Sequence, residues 1–156
     1  MPDAWRLDNA KWTAQAFSGA GAALAGGRWN PIGVHVVYAS RHLATAVLEK
    51  FIHLPKPVPA AMTFVQSEID FGGIAVERPA RAALPANWRE EPAPLTTQQF
   101  GLEWFRSSRS AILAVPSAIV PDEENYVLNP AHPDFRKVKV SKPVRFVFDP
   151  RLAGLK

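Results

Sequence analysis

The stretch "GGRWNPIGVHVVYASRHLATAVLEKFIH", residues 26–53, decides how the rest of the chain is read. Val34 to Ser40 is a β-branched run bounded by Gly33 and Ser40, the pattern of a strand. Ser40 is then the expected N-cap of a helix over residues 41–53, because its hydroxyl can take one of the unpaired N–H groups of a first turn. On that helix Leu43, Ala44, Val47, Leu48, Phe51 and Ile52 share one arc, so it is amphipathic. Glu49 lies away from that arc, near His42 and His53. A strand that runs straight into a one-sided helix, preceded by a glycine-rich turn carrying Arg28, Trp29 and Asn30, is more than a connector requires.

Working outward, strands are expected at residues 4–8, 62–69, about 73–77, 111–120, 125–130 and 142–149. A second helix is expected over residues 96–109, capped by Thr96 or Thr97. Pro116, Pro121 and Pro130 mark turns, and the proline runs at 54–60 and 90–95 read as extended connectors. The basic stretch 135–146 has the alternation of an edge strand with charged outer positions. Strands outnumber helices and do not alternate with them. The fold class is therefore α+β, with a mixed or antiparallel sheet core and few helices. No internal repeat or linker divides residues 1–156, which read as one domain.

Composition removes several function classes. There are no cysteines, so thiolate nucleophiles, zinc–thiolate sites and disulfide scaffolds are out. The first residues lack the apolar run of a secretion signal, and no stretch reaches membrane-spanning length, so a cytoplasmic protein without membrane attachment is expected. The net charge of +4 is spread along the chain and calls for no direct nucleic-acid partner.

Candidate chemistry concentrates in a few places. Glu49 reads either as a solvated helix-face carboxylate or, with His42 and His53, as a metal site. Only the step from Glu49 to His53 matches one helical turn, and no second half of such a site is visible, so no metal is expected. Gly19, Gly21, Gly26 and Gly27 precede the strand instead of following it, the wrong order for a dinucleotide-binding fingerprint. They do permit close approach of backbone to a ligand beside Arg28, whose planar fork suits phosphate. No Gly-x-Ser-x-Gly elbow surrounds Ser117. The polar loop over residues 116–135 could hold sugar hydroxyls, although turn chemistry explains Asn129-Pro130 equally well.

The order of these features carries more than any one of them. Trp5-Arg6-Leu7, Gly27-Arg28-Trp29-Asn30, Val37-Tyr38-Ala39-Ser40, Ala46-Val47-Leu48-Glu49, Val115-Pro116-Ser117, then Asn125 and Asn129-Pro130, resemble the RES domain family. Arg28, Glu49 and Ser117 match the arginine, glutamate and serine of that name. The resemblance implies a fold similar to ADP-ribosyltransferase toxins, and a toxin of a bacterial toxin–antitoxin pair. Its partner would be an Xre-like helix-turn-helix antitoxin, with DNA reached only through that antitoxin and room for a homodimer within the complex. It implies NAD⁺ as substrate, with no other cofactor, cleaved at the nicotinamide–ribose N-glycosidic bond by water or phosphate. Transfer of ADP-ribose to a protein, or a non-catalytic binding module of the same fold, are the alternatives. Glu49, Arg28 and Tyr38 would be catalytic. Arg28 and Arg6 would hold phosphate charge, Tyr38 would stack on nicotinamide or ribose, and Ser117 and Asn129 would make polar contacts.

Overall fold

A computed structural model describes residues 1–156. Its strands are β1 (Ala4–Asn9), β2 (Val37–Ser40), β3 (Phe64–Asp70), β4 (Ile112–Pro116), β5 (Glu124–Leu128), β6 (Lys139–Val140) and β7 (Val144–Phe146). They form one sheet in the order β4-β5-β2-β1-β3-β6, with β7 also on β3. Every strand pair is antiparallel. Four α-helices accompany the sheet: α1 (Ala20–Ala25), α2 (Leu43–Ile52), α3 (Leu95–Ser107) and α4 (Pro150–Ala153). The expected α+β class is what the chain adopts, and the choice between mixed and antiparallel falls to antiparallel.

Side-chain alternation along the central strands explains the core. Ile112, Ala114, Tyr126 and Leu128 join Val37, Ala39, Ile69 and Phe71 in one cluster. Leu113, Val115 and Val127, the alternate residues, join Trp29, Val36 and Trp104 in a second. β4 is covered on both faces, which is why "AILAV" reads as an unbroken apolar run. A third cluster packs α2 onto the sheet edge, with Phe51 against Leu7, Phe64 and Phe148.

Several expected boundaries move, each for a physical reason. Ser40 does not cap α2: His42 holds the N-cap position without a side-chain capping bond to the helix, while the Ser40 hydroxyl is committed to Asn125. Nor does Thr96 or Thr97 cap α3, which opens at Leu95 behind Pro94. Thr97 sits inside the first turn and donates to the Pro94 carbonyl at 3.0 Å. Residues 73–77 supply only one parallel bridge, Glu77 to Leu113, because Gly72 and Gly73 turn the chain at φ 63° and 79°. The strand expected over 111–120 stops at Pro116, and the one over 142–149 shrinks to β7 because Asp149 caps α4. The basic edge is broken as well. Pro133–Lys137 form a 3-10 turn, and only the short β6 and β7 then reach β3.

Candidate functional site

Three neighbouring strands end in polar residues that the core does not account for: Ser40 on β2, Asn125 on β5 and Ser117 just past β4. Register places Ser40 opposite Asn125, and Asn125 opposite Val115. The tight turn after Ser40 brings α2 back over these ends, and Glu49 meets them there. Its Oε1 accepts the Ser117 hydroxyl at 2.6 Å and the Asn125 amide at 2.8 Å. The Asn125 carbonyl oxygen in turn accepts the Ser40 hydroxyl at 2.7 Å. Ser117 is fully buried, and its oxygen also receives the N–H groups of Ile119 and Val120, both at 3.1 Å. With its lone pairs engaged, its proton can only go to Glu49. Oε2 of Glu49 takes part in none of these bonds.

The start of α2 is pinned to the same loop. His42 and Thr45 both bond Glu123 Oε1, His42 at 2.9 Å, and Ser117 N–H donates to the Glu123 carbonyl at 2.9 Å. The Thr45 hydroxyl, with His42 beside it, holds the Glu123 carboxyl below the usual carboxylate range. His42 therefore faces Glu123 instead of Glu49. His53 lies at the opposite, C-terminal end of α2.

Arg28 and Tyr38 build the other end. Tyr38 and Ser40 alternate along β2 on one face, about 7 Å apart. The Tyr38 hydroxyl donates to Asn30 Oδ1 at 2.6 Å and accepts Trp29 N–H at 3.0 Å. Burial pushes its phenol well above the ordinary tyrosine range, against the opposing pull of the Trp29 N–H and the nearby Arg28 charge. Asn30, fully buried, spends its amide N–H groups on the carbonyls of Ala22, Pro31 and Val34. Gly27 is required here: a Cβ would lie 2.8 Å from both the Tyr38 hydroxyl and Asn30 Oδ1. Gly101 of α3 is required too, since a Cβ would fall 1.7 Å from the Trp29 carbonyl oxygen.

The Arg28 guanidinium, 15% exposed, donates to the Trp88 and Glu90 carbonyls and to Glu91 Oε2 at 2.7 Å. Arg89 ties the same segment to the Ala118 carbonyl at 2.9 Å, and Arg81, stacked on Trp88, donates to Pro121 at 2.9 Å. Residues 81–91 thus run as a strap from Arg28 to the Ser117 loop. Of the groups holding Arg28, the Glu91 carboxylate is 75% exposed and is the anion most readily exchanged for a phosphate.

Arg6 and Asn129 are bonded within the protein itself. Arg6 is turned to structural use. It donates to the Tyr38 carbonyl at 2.8 Å and forms a two-pronged pair with Asp8 at 3.1 and 2.8 Å. It thereby supplements β1 and β2 where their ladder is reduced to the single Trp5–Ser40 register. Asn129 stays in the turn: its Oδ1 accepts Ala131 N–H at 2.9 Å, and four residues of strand, about 13 Å, separate it from Asn125. Asn125 is the asparagine that bonds Glu49. Its signal in the sequence is a polar residue terminating an otherwise apolar strand, shared with Ser40 and Ser117.

What this arrangement can do follows from its two ends. One presents a guanidinium that suits a pyrophosphate. The other presents a carboxylate with one oxygen fixed and one available to face a developing positive charge.

The sequence matches the RES domain family over residues 3–149. It is 41% identical over 152 residues to the Prs ADP-ribosylating toxin of Sphingobium sp. (strain YBL2), covering 95% of this chain and 94% of that one. It is 37% identical over 150 residues to Toxin Res of Yersinia enterocolitica, covering 95% and 97%. Among solved structures, the M. tuberculosis MbcT–MbcA toxin–antitoxin complex holds a similar chain, with a TM-score of 0.77 at 18% identity, covering 98% of this chain and 87% of that one. The fold is shared at that distance, and the family is shown by the sequence: this chain belongs to the RES domain family.

Proposed function

We propose that this RES-domain chain is the toxin of a bacterial toxin–antitoxin pair, and that it consumes NAD⁺ by cleaving the nicotinamide–ribose bond. The observation that carries the proposal is Glu49, with Oε1 fixed by Ser117 and Asn125 and Oε2 left free, on the sheet face it shares with Tyr38 and the Arg28 turn. Arg28 takes the pyrophosphate in exchange for Glu91. The Tyr38 ring flanks the nicotinamide ribose while its hydroxyl keeps the Arg28 turn in place. As the C1′–N bond breaks, its electron pair neutralises the pyridinium, and nicotinamide leaves uncharged. The positive charge left on the ribose is met by the free oxygen of Glu49. Such a leaving group needs no strong general acid. Ser117 serves the reaction through Glu49.

The acceptor at C1′ is water or phosphate. Transfer of ADP-ribose to a protein uses the same cleavage with another acceptor, and the name of the Sphingobium relative favours it. The partner is a protein antitoxin of the Xre-like helix-turn-helix class, acting in the cytoplasm, and DNA is met through that partner. No helix is long and apolar enough to cross a membrane.

The test is nicotinamide release from NAD⁺ by the purified, folded, inhibitor-free protein, with and without phosphate. Release in buffer alone indicates hydrolysis, and release that requires phosphate indicates phosphorolysis. Release that requires a bacterial extract, with label carried onto protein, indicates transfer. No release under any of the three conditions refutes the proposal.

A further inference from the structure

We infer that Asn125 and Ser40 are positioning residues for Glu49: together they fix the orientation of its carboxylate, with one oxygen held and the other facing the substrate. The inference deepens the proposed NAD⁺ cleavage and rests on it.

An asparagine amide can stand either way round, and its neighbours decide which. With Nδ2 turned to Glu49, it donates to Oε1 at 2.8 Å, and Oδ1 is left to accept the Ser40 hydroxyl at 2.7 Å. The flipped amide would put Oδ1 against a carboxylate oxygen, two acceptors at hydrogen-bond distance. The Glu49 carboxylate, which can only accept, sets the first orientation, and the Ser40 hydroxyl, 3% exposed and with its proton on Oδ1, holds the amide in it. Asn125 then shares Oε1 with Ser117, so that oxygen accepts two fixed donors. The carboxylate is held against rotation about its terminal bond, with Oε2 outward. β2, β5 and the Ser117 loop each hold one member of the relay, so sheet register sets the aim of the carboxylate.

A misaimed reacting group loses rate with little loss of substrate affinity, by roughly 10–100-fold for displacements near an ångström. In Ser40→Ala the Asn125 amide loses its anchor on Oδ1, and kcat should fall about 10-fold with KM within about twofold of the parent. Asn125→Asp is nearly isosteric but places a second carboxyl against Glu49. Two carboxyls at that distance share a proton, so kcat should fall about 100-fold and the acid limb of its pH–rate profile should move to higher pH. A merely structural asparagine would move the melting temperature and leave that limb where it was.

An independent readout follows the Asn125 side-chain amide by ¹⁵N–¹H NMR. Its exchange with solvent should be slow in the parent and at least about 10-fold faster in Ser40→Ala. Unchanged kcat in Ser40→Ala, an unmoved acid limb in Asn125→Asp, or unchanged amide exchange overturns the positioning roles. A parent that releases no nicotinamide overturns the enzyme assignment instead, and the NMR comparison then still decides whether Ser40 holds Asn125. Should Asn125→Asp fail to fold, Ser40→Ala alone decides.

Discussion

Replacing Tyr38 with phenylalanine should cost stability before it costs chemistry. The hydroxyl satisfies two groups at once, Trp29 N–H at 3.0 Å and Asn30 Oδ1 at 2.6 Å, inside the turn that carries Arg28. Leaving a buried polar group without its partner costs about 1–3 kcal/mol, so the pair together should cost about 2–6 kcal/mol. For a chain of this size each kcal/mol is worth roughly 2–4 °C, which puts the loss in melting temperature at about 4–24 °C. A second readout comes from pH. Burial raises the Tyr38 pKa, so the folded state prefers the neutral phenol. That preference is fully present below the unfolded value near 10 and is lost as pH rises through the folded value, by up to about 1.4 kcal/mol per pH unit. Phenylalanine has no such dependence, so the gap between parent and variant should hold from about pH 8 to about pH 10 and narrow above it toward pH 11. Tyr126, pushed up to about 12 chiefly by burial, is present in both proteins and cancels. Scanning calorimetry of both across that range is the assay. A variant melting within about 2 °C of the parent at pH 8, or a gap that widens with pH, would refute the argument.

The strap and the turn make further predictions. Glu91→Ala removes the exposed carboxylate that competes for Arg28, in a pair worth about 0–1 kcal/mol. Calorimetric binding of ADP-ribose should therefore tighten by about 2–5-fold, and unchanged or weaker binding would show that Glu91 does not stand in the phosphate's place. Arg28→Ala should weaken the same binding by about 10-fold or more, because phosphate charge is present in ground and transition states alike; retention of parent affinity would move the phosphate site elsewhere. Gly101→Ala forces a Cβ to 1.7 Å from the Trp29 carbonyl oxygen, a backbone atom that cannot step aside cheaply. It should destabilise by about 3 kcal/mol or prevent folding. Gly21→Ala, with nothing within 4 Å, should be neutral or stabilising by about 0.5–1 kcal/mol, and equal melting shifts in the two variants would contradict the packing described.

How much of this was legible in the sequence depends on the range of the interaction. The strand-to-helix passage from Val37 to Ile52 and the apolar β4 are written in local periodicity, and both are present. The path of the basic stretch is not, because Pro133 and Pro143 break an alternation that would otherwise make one edge strand. Ser40 shows the limit most clearly. A serine before a helix satisfies the pattern of a cap, yet a partner 85 residues away, Asn125, takes its hydroxyl. Arg6 and Arg28 are alike in sequence, and only tertiary structure shows their partners: Asp8 and the Tyr38 carbonyl for the first, and the Trp88 and Glu90 carbonyls with the exposed Glu91 carboxylate for the second. Order along the chain pointed to Glu49 and Ser117 separately. The bond between them, across 68 residues, required the fold.

The most direct measurement is single-turnover release of nicotinamide from NAD⁺ by the parent and by Glu49→Gln, with ADP-ribose affinity measured on both. Glutamine keeps the size and the bonding of Oε1 but removes the charge that faces the ribose. Turnover should fall about 10²–10³-fold while ADP-ribose binds both proteins equally well. Near-parent turnover in Glu49→Gln, or equal losses of binding and rate, would contradict the assignment of Glu49 as the group that meets the transition state.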